Sequence, residues 1–175
     1  MAPSAQLVVD MEDVMRNGGS LVCAKERYVT SRNIGHDVAV SPDVVGCGMC
    51  GKVLLARRRA NGSHCAVKSF VKDTLTEEAL NDLQREVGIY LTLDHPRIAR
   101  LEAVYETKAR LHLVMEYLAG GDLLDRFQKQ RQFTGHSAAG MMRQILQAVA
   151  YLHSRAVVHR DLKLENVVYE NVHTD

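Results

Sequence analysis

The sequence carries almost no net charge, which limits the partners that it can attract. Its 22 basic and 21 acidic residues leave a formal net charge of +1. A general nucleic-acid-binding protein needs a strong basic field that releases counterions, so this class is excluded. Any anion-binding site must therefore be local.

The first thirty residues contain no continuous apolar stretch. The only candidate, Leu7-Val8-Val9, is followed directly by Asp10. No signal peptide or membrane span is predicted, and Ala2 stands where N-myristoylation needs glycine. We therefore predict an intracellular protein, with the cytoplasm as the default compartment.

The four cysteines are too few for a secreted scaffold held by disulfides. Cys47 and Cys50 form a C-x-x-C motif. A thioredoxin-like site would need a helix that begins at this motif, and a zinc site would need two more ligands, for which His64 and Cys65 are candidates. Neither context is evident, which leaves an oxidation-sensitive loop or a chance spacing.

At 175 residues and 46% apolar content, the chain is long enough to bury the core of one domain or slightly more. Residues 1–40 have short apolar runs interrupted by glycine and polar clusters. They predict an N-terminal extension of uncertain order, whose role the sequence does not indicate.

Residues 159–166, HRDLKLEN, place two carboxylates, two cationic side chains, a histidine and a carboxamide between two apolar runs, 156–158 and 167–169. Both runs predict short buried strands. So many polar groups on a loop held by two strands indicate a functional site rather than a solvated turn.

This H-R-D-x-x-x-x-N string resembles the catalytic loop of eukaryotic protein kinases, and Lys163 is typical of serine/threonine kinases. The resemblance implies that Asp161 orients the substrate hydroxyl and accepts its proton, and that Lys163 stabilises charge on the transferred phosphoryl group. Asn166 would hold a Mg²⁺ ion, which prefers oxygen ligands. His159 would be a buried structural residue rather than a metal ligand.

Residues 44–56 predict a strand, a glycine turn and a second strand. The G-x-G-x-x-G of 46–51 is weak evidence alone, but a dinucleotide-binding fold would open a helix where Val53, Leu54 and Leu55 continue as strand. This favours a kinase-type loop, whose glycines let backbone amides approach phosphates. Cys50 replaces the aromatic residue usual at its tip, so shielding of the γ-phosphate is expected to be poorer.

The run 65–70 alternates as a strand does, and its A-V-K triplet resembles the kinase motif whose lysine, here Lys68, grips the α- and β-phosphates. Thr74 and Glu77 predict a capping box for a helix through about residue 92, with an apolar stripe of Leu80, Leu83, Val87 and Leu91. Glu86 is implied to ion-pair with Lys68 and to act as a switch if the helix swings. The alternative is a solvated helix carboxylate.

Residues 98–104 and 111–117 predict a strand pair, and the second strand resembles the one that leads into the kinase hinge. Met115 would be the gatekeeper, and backbone groups of Glu116 and Leu118 would bond the adenine edge. Asp122 would reach the ribose hydroxyls or a basic substrate residue. Residues 122–130 and 137–153 predict helices, the second with an apolar face of Met141, Met142, Ile145, Leu146, Val149 and Leu152. The methionine pair on this face is expected to pack in the core.

The resemblance runs from about residue 44 to 169 and implies an α+β, protein-kinase-like fold. Residues 41–118 would form a complete N-lobe, an antiparallel sheet plus helix C, and residues 119–175 the first part of a mainly helical C-lobe. The implied ATP-binding residues are Val45, Gly46, Cys47, Gly48, Met49, Cys50, Gly51, Lys52, Val53, Ala66, Lys68, Met115, Glu116, Leu118, Asp122 and Val168.

The strings LDHP at 93–96 and VMEY at 114–117 are most similar to the calcium/calmodulin-dependent kinase group, including the calcium-dependent kinases of plants and protozoa. No D-x-D-x-D-G calcium loop occurs in the sequence, so these residues do not predict calcium control.

The family's D-F-G triplet, whose aspartate is the main Mg²⁺ ligand, does not occur in these 175 residues. We therefore expect these residues alone to transfer phosphate slower by orders of magnitude. The remaining helices of the family's large lobe do not occur in them either, so the apolar face of the helix at 137–153 would lack its usual cover and would favour aggregation or a covering partner.

Three hypotheses follow. The first is a serine/threonine protein kinase that uses ATP and Mg²⁺ on a protein substrate. The second is a non-catalytic lobe that binds nucleotide or a partner, and the third is an incomplete gene product without an independent role. Asp122 and Glu165 are as compatible with selection of basic substrates as with an ordinary solvated surface.

Overall fold

The computed structural model describes residues 5–7, 27–30, 32–48, 51–130 and 134–171. They form two units. The sheet unit contains Ser20–Thr92 and Arg100–Tyr117, and the helical unit contains Met1–Gly19, Leu93–Ala99 and Leu118–Asp175. Among the described residues, no helix has the length and apolar character to cross a membrane.

The described strands and helices are named in chain order. The helices are α1 (Glu77–Thr92), α2 (Leu123–Gln130) and α3 (Gly135–Ser154). The strands are β1 (Ala5–Leu7), β2 (Tyr28–Val29), β3 (Val38–Gly48), β4 (Gly51–Arg58), β5 (His64–Val71), β6 (Leu101–Glu106), β7 (Arg110–Glu116) and β8 (Val167–Tyr169).

The sheet unit is built on six strands in the order β2-β6-β7-β5-β4-β3. Only the β2–β6 pair is parallel. β5 therefore lies inside the sheet, where its alternating residues are buried on both faces. The core on one face consists of Ile34, Val38, Ala56, Cys65, Val67, Tyr105 and Val114.

Part of the predicted extension belongs to this sheet unit. Ile34 and Val38 lie in its core, and Tyr105 Oη donates a 2.7 Å hydrogen bond to Asp37. Tyr28–Val29 pairs with β6. The proposed boundary at residue 40 stays a prediction, but the sheet draws on residues before it.

Helix α1 begins at Glu77, and its N-cap is not the predicted one. Thr76 Oγ1 accepts a hydrogen bond from Ala79 N–H at 3.2 Å, whereas Thr74 Oγ1 donates to Val71 O at 2.7 Å. The capping-box prediction was therefore wrong by two residues, because Thr74 belongs to a short 3₁₀ turn, Lys72–Thr74. The predicted apolar stripe is confirmed, with Leu83, Val87 and Leu91 buried.

Strand β6 begins at Leu101, three residues after the predicted start. Ile98 N–H instead donates to His95 O at 3.0 Å and closes a turn. Ile98 and Ala99 are buried. A short apolar run without alternation indicates burial but does not distinguish a strand from a buried turn, which explains the error.

Glu106 joins three elements of the sheet unit. Its carboxylate accepts a 2.6 Å hydrogen bond from Tyr28 Oη and a 3.2 Å hydrogen bond from Gln84. It also forms an ion pair with Lys72. Burial by itself raises the pKa of Glu106, but the hydrogen bonds from Lys72 and Tyr28 outweigh it, and the pKa lies below its ordinary value of 4.5.

The Glu106→Gln variant is expected to lower the free energy of unfolding by about 1–3 kcal/mol, because an amide is a weaker acceptor for Lys72. Since the folded pKa of Glu106 is lowered, its contribution is present above pH 4.5 and is lost as the pH falls through the folded pKa. Urea unfolding at neutral and at acid pH measures this. The parent should lose more stability on acidification than Glu106→Gln, and an equal loss would contradict the account. Glu78→Gln, at an exposed carboxylate, is the matched control.

In the helical unit, α3 ends in a backbone turn rather than leading into a strand. Ala156 adopts φ 57°, Ala156 N–H donates to His153 O at 3.0 Å, and Val157 N–H donates to Leu152 O at 2.9 Å. These two bonds form a Schellman motif. The predicted strand at 156–158 was therefore wrong, and Val158 is exposed.

The predicted apolar face of α3 is divided. Met141 and Leu152 are buried, whereas Met142 and Leu146 are 52% and 58% exposed. Assigning both methionines to the core was therefore wrong for Met142. The predicted strand at 167–169 is confirmed as β8, which pairs antiparallel with β1, so that Gln6 lies opposite Val168.

Candidate active site

Asp161 lies at the centre of a group of short contacts in the helical unit. Lys163 Nζ is 2.6 Å from Asp161 Oδ2. Asn166 Nδ2 donates to the backbone oxygen of Asp161 at 2.8 Å and to Oδ2 at 3.1 Å. The loop thus brings together the three side chains that the sequence singled out.

The contacts of Asp161 stabilise its ionised form. The hydrogen bond from Lys163 is the main cause that holds the pKa of Asp161 below its ordinary value of 3.8. The hydrogen bond from Asn166 and the proximity of His159 act in the same direction. At neutral pH the carboxylate is therefore a hydrogen-bond acceptor only.

Backbone geometry fixes the shape of this loop. His159 is buried, as predicted, and its carbonyl accepts the Asp161 N–H at 2.8 Å. Arg160 adopts φ 60°, a conformation that costs a non-glycine residue about 1–2 kcal/mol. Strain of this kind is often retained where it positions functional groups.

The far end of the loop is anchored by Tyr169. Residues Leu164–Asn166 form one 3₁₀ turn before β8. Tyr169 is buried, its hydroxyl contacts Met141 Sδ at 3.3 Å, and the guanidinium of Arg126 lies 3.9 Å from the centre of its ring. Helices α2 and α3 therefore both hold the strand that follows Asn166.

Four predicted nucleotide-binding residues share one face of the sheet unit. Val53 lies opposite Lys68 across β4 and β5, and across β5 and β7 Lys68 lies opposite Leu113 and Ala66 opposite Met115. Directly paired residues project to the same face, as do residues two apart on a strand. Val53, Ala66, Lys68 and Met115 are thus placed together.

Lys68 and Glu86 are both buried, with 7% and 4% of their surface exposed. Lys68 Nζ lies 5.4 Å from the centre of the Phe70 ring, a weak cation–π distance. Burying two isolated charges in one unit is costly unless opposite charges compensate each other. This burial argues against the alternative of a solvated carboxylate at Glu86.

The predicted glycine-rich loop is a hairpin between β3 and β4. Cys47 pairs with Lys52, and Gly48 with Gly51. Gly51 has φ 115°, a conformation that favours glycine. Met49 and Cys50, which lie between the paired glycines, are outside the described residues, so the predictions for the loop tip stay predictions.

The other predicted residues of this hairpin are accessible. Val45 and Cys47 are exposed, and Gly46 lies opposite Val53.

Among the described residues, no group of three or more histidine, cysteine or acidic residues could hold a metal ion.

The Glu116 N–H at the end of β7 donates to Arg100 O at 2.9 Å, so this amide is already used within the sheet unit.

The chain segment after β7 contains a tightly packed glycine. In the helical unit, a Cβ on Gly120 would lie 2.6 Å from Asn171 O, which is closer than real Cβ contacts allow. The half-buried Leu118 precedes this turn.

Asp122 has a structural role that the sequence analysis missed. Its Oδ1 accepts the Asp125 N–H at 2.7 Å, which caps the first turn of α2. An aspartate just before an apolar helix is the signal that could have indicated this cap. Asp122 also forms an isolated antiparallel bridge with Val168, whereas Glu165 is exposed.

Comparison with known families gives one match over most of the chain. The protein kinase domain family matches residues 40–174. Human NUAK family SNF1-like kinase 2 is 40% identical over 148 residues, which are 84% of this chain and 23% of that protein. Rat calcium/calmodulin-dependent protein kinase type 1B is 39% identical over 126 residues, 71% of this chain and 36% of that protein.

A solved structure has the same fold. The crystal structure of Rad53 1-466 in complex with AMP-PNP matches with a TM-score of 0.71 and 35% identity, over 79% of this chain and 36% of that one. The chain spans about a quarter to a third of the length of the relatives it matches.

Proposed function

The chain belongs to the protein kinase family, and from that premise we propose that it is a serine/threonine protein kinase. It transfers the γ-phosphoryl group of ATP to a serine or threonine hydroxyl of a protein. The observation that carries this proposal is the loop in which Lys163 and Asn166 both contact Asp161. Its relatives include serine/threonine kinases of the calcium/calmodulin-dependent and SNF1-like groups.

In the proposed reaction, Asp161 accepts a hydrogen bond from the substrate hydroxyl and aims its oxygen at the γ-phosphorus. The new O–P bond forms as the bond between the γ-phosphorus and the leaving oxygen of ADP breaks, and the hydroxyl proton passes to Asp161. Because the pKa of Asp161 is lowered, it is a weak base, so its main contribution is orientation, with late proton transfer.

Lys163 supplies positive charge beside Asp161. Its ammonium group lies 2.6 Å from the carboxylate, so a phosphoryl group in line with the oriented hydroxyl would lie near this cation. Charge that spreads over the phosphoryl oxygens in the transition state is thereby stabilised. The role requires a fixed cation, which the contact with Asp161 provides.

Nucleotide binding is assigned to the face of the sheet that carries Lys68. Val53 and Ala66 would pack against the adenine, Met115 would act as gatekeeper, and Lys68 would bind the α- and β-phosphates. Glu86 is proposed to ion-pair with Lys68, which agrees with the burial of both. Contacts of the glycine-rich hairpin, Leu118, Asp122 and Val168 with the nucleotide are part of the same proposal.

The residues present fit one Mg²⁺ ligand. Asn166 uses its amide nitrogen on Asp161, which leaves its amide oxygen to face a cation. Mg²⁺ keeps several waters and binds through few protein groups plus substrate phosphates, so one carboxamide is compatible with it. Bound there, the ion would neutralise charge on the phosphate oxygens.

Because ATP is the donor, the proposed activity is intracellular, and its partner is a protein with a serine or threonine acceptor. Of the two acids considered for basic substrates, Glu165 is exposed, whereas Asp122 is engaged as a helix cap. A preference for a basic residue is proposed for Glu165, and Asp122, one oxygen of which caps α2, keeps its proposed contact with the nucleotide.

The proposal is tested with peptides that are identical except for serine, threonine, tyrosine or alanine at the acceptor position. Incubation with Mg·ATP should label the serine and threonine peptides alone. Labelling of tyrosine would contradict the specificity. ATP binding without transfer to any peptide would replace the proposal with the nucleotide-binding lobe, and failure to obtain a soluble monomer would favour the incomplete product.

A further inference from the structure

The helical unit contains a cavity of about 420 Å³ beside the N-terminal half of α3. Arg143 and His136 of α3 line one side, and Arg97, from residues 93–99, lines the other. None of the three belongs to the proposed catalytic machinery. Two arginines from separate segments therefore line one concave site.

The shape of the cavity follows from the helix sequence. Gly140 and Ala139 line it, and such small side chains leave space next to the helix. Positions 136, 140, 143 and 147 lie on one helical face. Gln144, which is 7% exposed, forms the buried part of the lining.

Residues 93–99 are fixed against α3, which positions Arg97. The Asp94 N–H donates to Tyr151 Oη at 2.9 Å, and the His95 ring stacks on Tyr151 with the ring centres 4.8 Å apart. The Arg97 N–H donates to His95 Nδ1 at 3.1 Å. The backbone of Arg97 is therefore fixed relative to α3, which limits the positions that its side chain can take beside the cavity.

The charge around this cavity is unusual for a chain that is nearly neutral. Residues 126–160 contain six lysines or arginines, three histidines and no aspartate or glutamate. The cavity lining, which lies within the described residues, also contains no carboxylate. The first turn of α3 adds a positive helix end near His136. The local field thus favours an anion.

The chemistry of the lining identifies the kind of anion. The lining residues are two arginines, a histidine, two glutamines, an alanine and a glycine, so its polar groups are cationic groups and amides. Arginine binds phosphate through two parallel hydrogen bonds, and glutamine amides add neutral donors. The volume lies in the range of small-ligand sites, so it admits a phosphate together with the group that carries it.

We propose that this cavity binds a phosphate monoester through Arg97 and Arg143. The phosphate is carried either by a phosphorylated side chain of a polypeptide or by a small phosphorylated metabolite. This site goes beyond the proposed kinase function and does not depend on it.

The test measures the affinity of the full chain for O-phospho-L-serine by calorimetric titration, with L-serine at equal ionic strength as the blank. Arg97→Gln and Arg143→Gln are each expected to weaken binding about tenfold or more, because each removes a charge-assisted hydrogen bond. Arg143→Lys should fall between parent and Arg143→Gln, since it keeps the charge but not the paired donors. Lys129→Gln, at an exposed position of α2 in the same unit, should bind as the parent does.

A second arm separates the two sources of phosphate. A phosphoserine peptide that binds tighter than O-phospho-L-serine assigns the site to a polypeptide ligand, and equal affinity assigns it to a small metabolite. Lys68→Met must retain binding. Binding that is lost in Lys68→Met but kept in Arg143→Gln would place the phosphate in the nucleotide site and overturn the proposal, as would no binding by the parent.

Discussion

The Asp161→Asn variant is expected to lose phosphotransfer by about 10²–10⁴-fold while its affinity for ATP stays nearly unchanged. Asparagine keeps the size of the side chain, and the bond from Asn166 to the backbone oxygen of residue 161 remains possible. What is lost is the ionised acceptor that orients the substrate hydroxyl. Steady-state rates with a serine peptide, together with ATP titration, separate the two effects.

The lowered pKa of Asp161 adds a pH dependence to this result. Since the carboxylate stays ionised above its ordinary value of 3.8, Asp161 should impose no decline in rate across the neutral range. The rate should fall only when acid protonates Asp161 below that value. Glu170→Gln, at an exposed carboxylate outside the loop, is the matched control and should leave the rate unchanged. A variant of Asp161 that retained the parent rate would contradict the assignment.

The Lys68→Met variant is expected to lose about 10²–10³-fold in transfer rate, the usual cost of removing one electrostatic donor from an active site, and to weaken ATP binding as well. This second effect distinguishes Lys68 from Asp161. Lys108→Met, in an exposed turn of the same unit, is the control. Unchanged ATP affinity and transfer in Lys68→Met would remove Lys68 from the nucleotide site.

The same variant also tests the proposed ion pair through stability. Both side chains are buried, so removing one partner should cost about 3–5 kcal/mol by leaving the other charge uncompensated. A Lys68→Met/Glu86→Gln double variant should be more stable than the sum of the single losses predicts. Additive losses in urea unfolding would mean that the two charges are stabilised by separate partners.

Local patterns predicted much of the fold correctly. The α+β, protein-kinase-like fold class is confirmed by the family match and by the similar crystal structure. Alternation identified β5, which carries Lys68, and helical spacing identified α1, which carries Glu86. Helix α1 has one periodic buried face, which is the feature that sequence reveals most directly, whereas β5 is buried on both faces.

The errors occurred where backbone geometry or distant pairing decided the structure. Ala156 adopts a left-handed conformation, which the sequence does not indicate. Because the β-branched residues that follow it favour strands, the end of a helix was interpreted as a strand. The pairing of β1 with β8 joins residues at opposite ends of the chain, and no local signal encodes it. The exposure of Met142 depends on which neighbours α3 has, not on its own spacing.

In the candidate site, too, residues that are adjacent in sequence could be recognised from it, whereas the face shared by distant residues depends on folding. The loop of Asp161, Lys163 and Asn166 was recognisable because its residues are adjacent in sequence, whereas the shared sheet face of Val53, Lys68 and Met115 needed the strand register. The capping role of Asp122 and the cavity beside α3 depend on contacts that residue types alone do not specify.

The most direct test of the central claim is mass spectrometry of a serine peptide after incubation with this chain and Mg·ATP, beside an identical reaction with Asp161→Asn. The account predicts a phosphoserine product in the parent reaction, formed orders of magnitude more slowly than by a kinase that contains the D-F-G aspartate, and its loss or strong reduction with the variant. Equal phosphorylation by both proteins, or a soluble parent that binds ATP and forms no phosphopeptide, would contradict it.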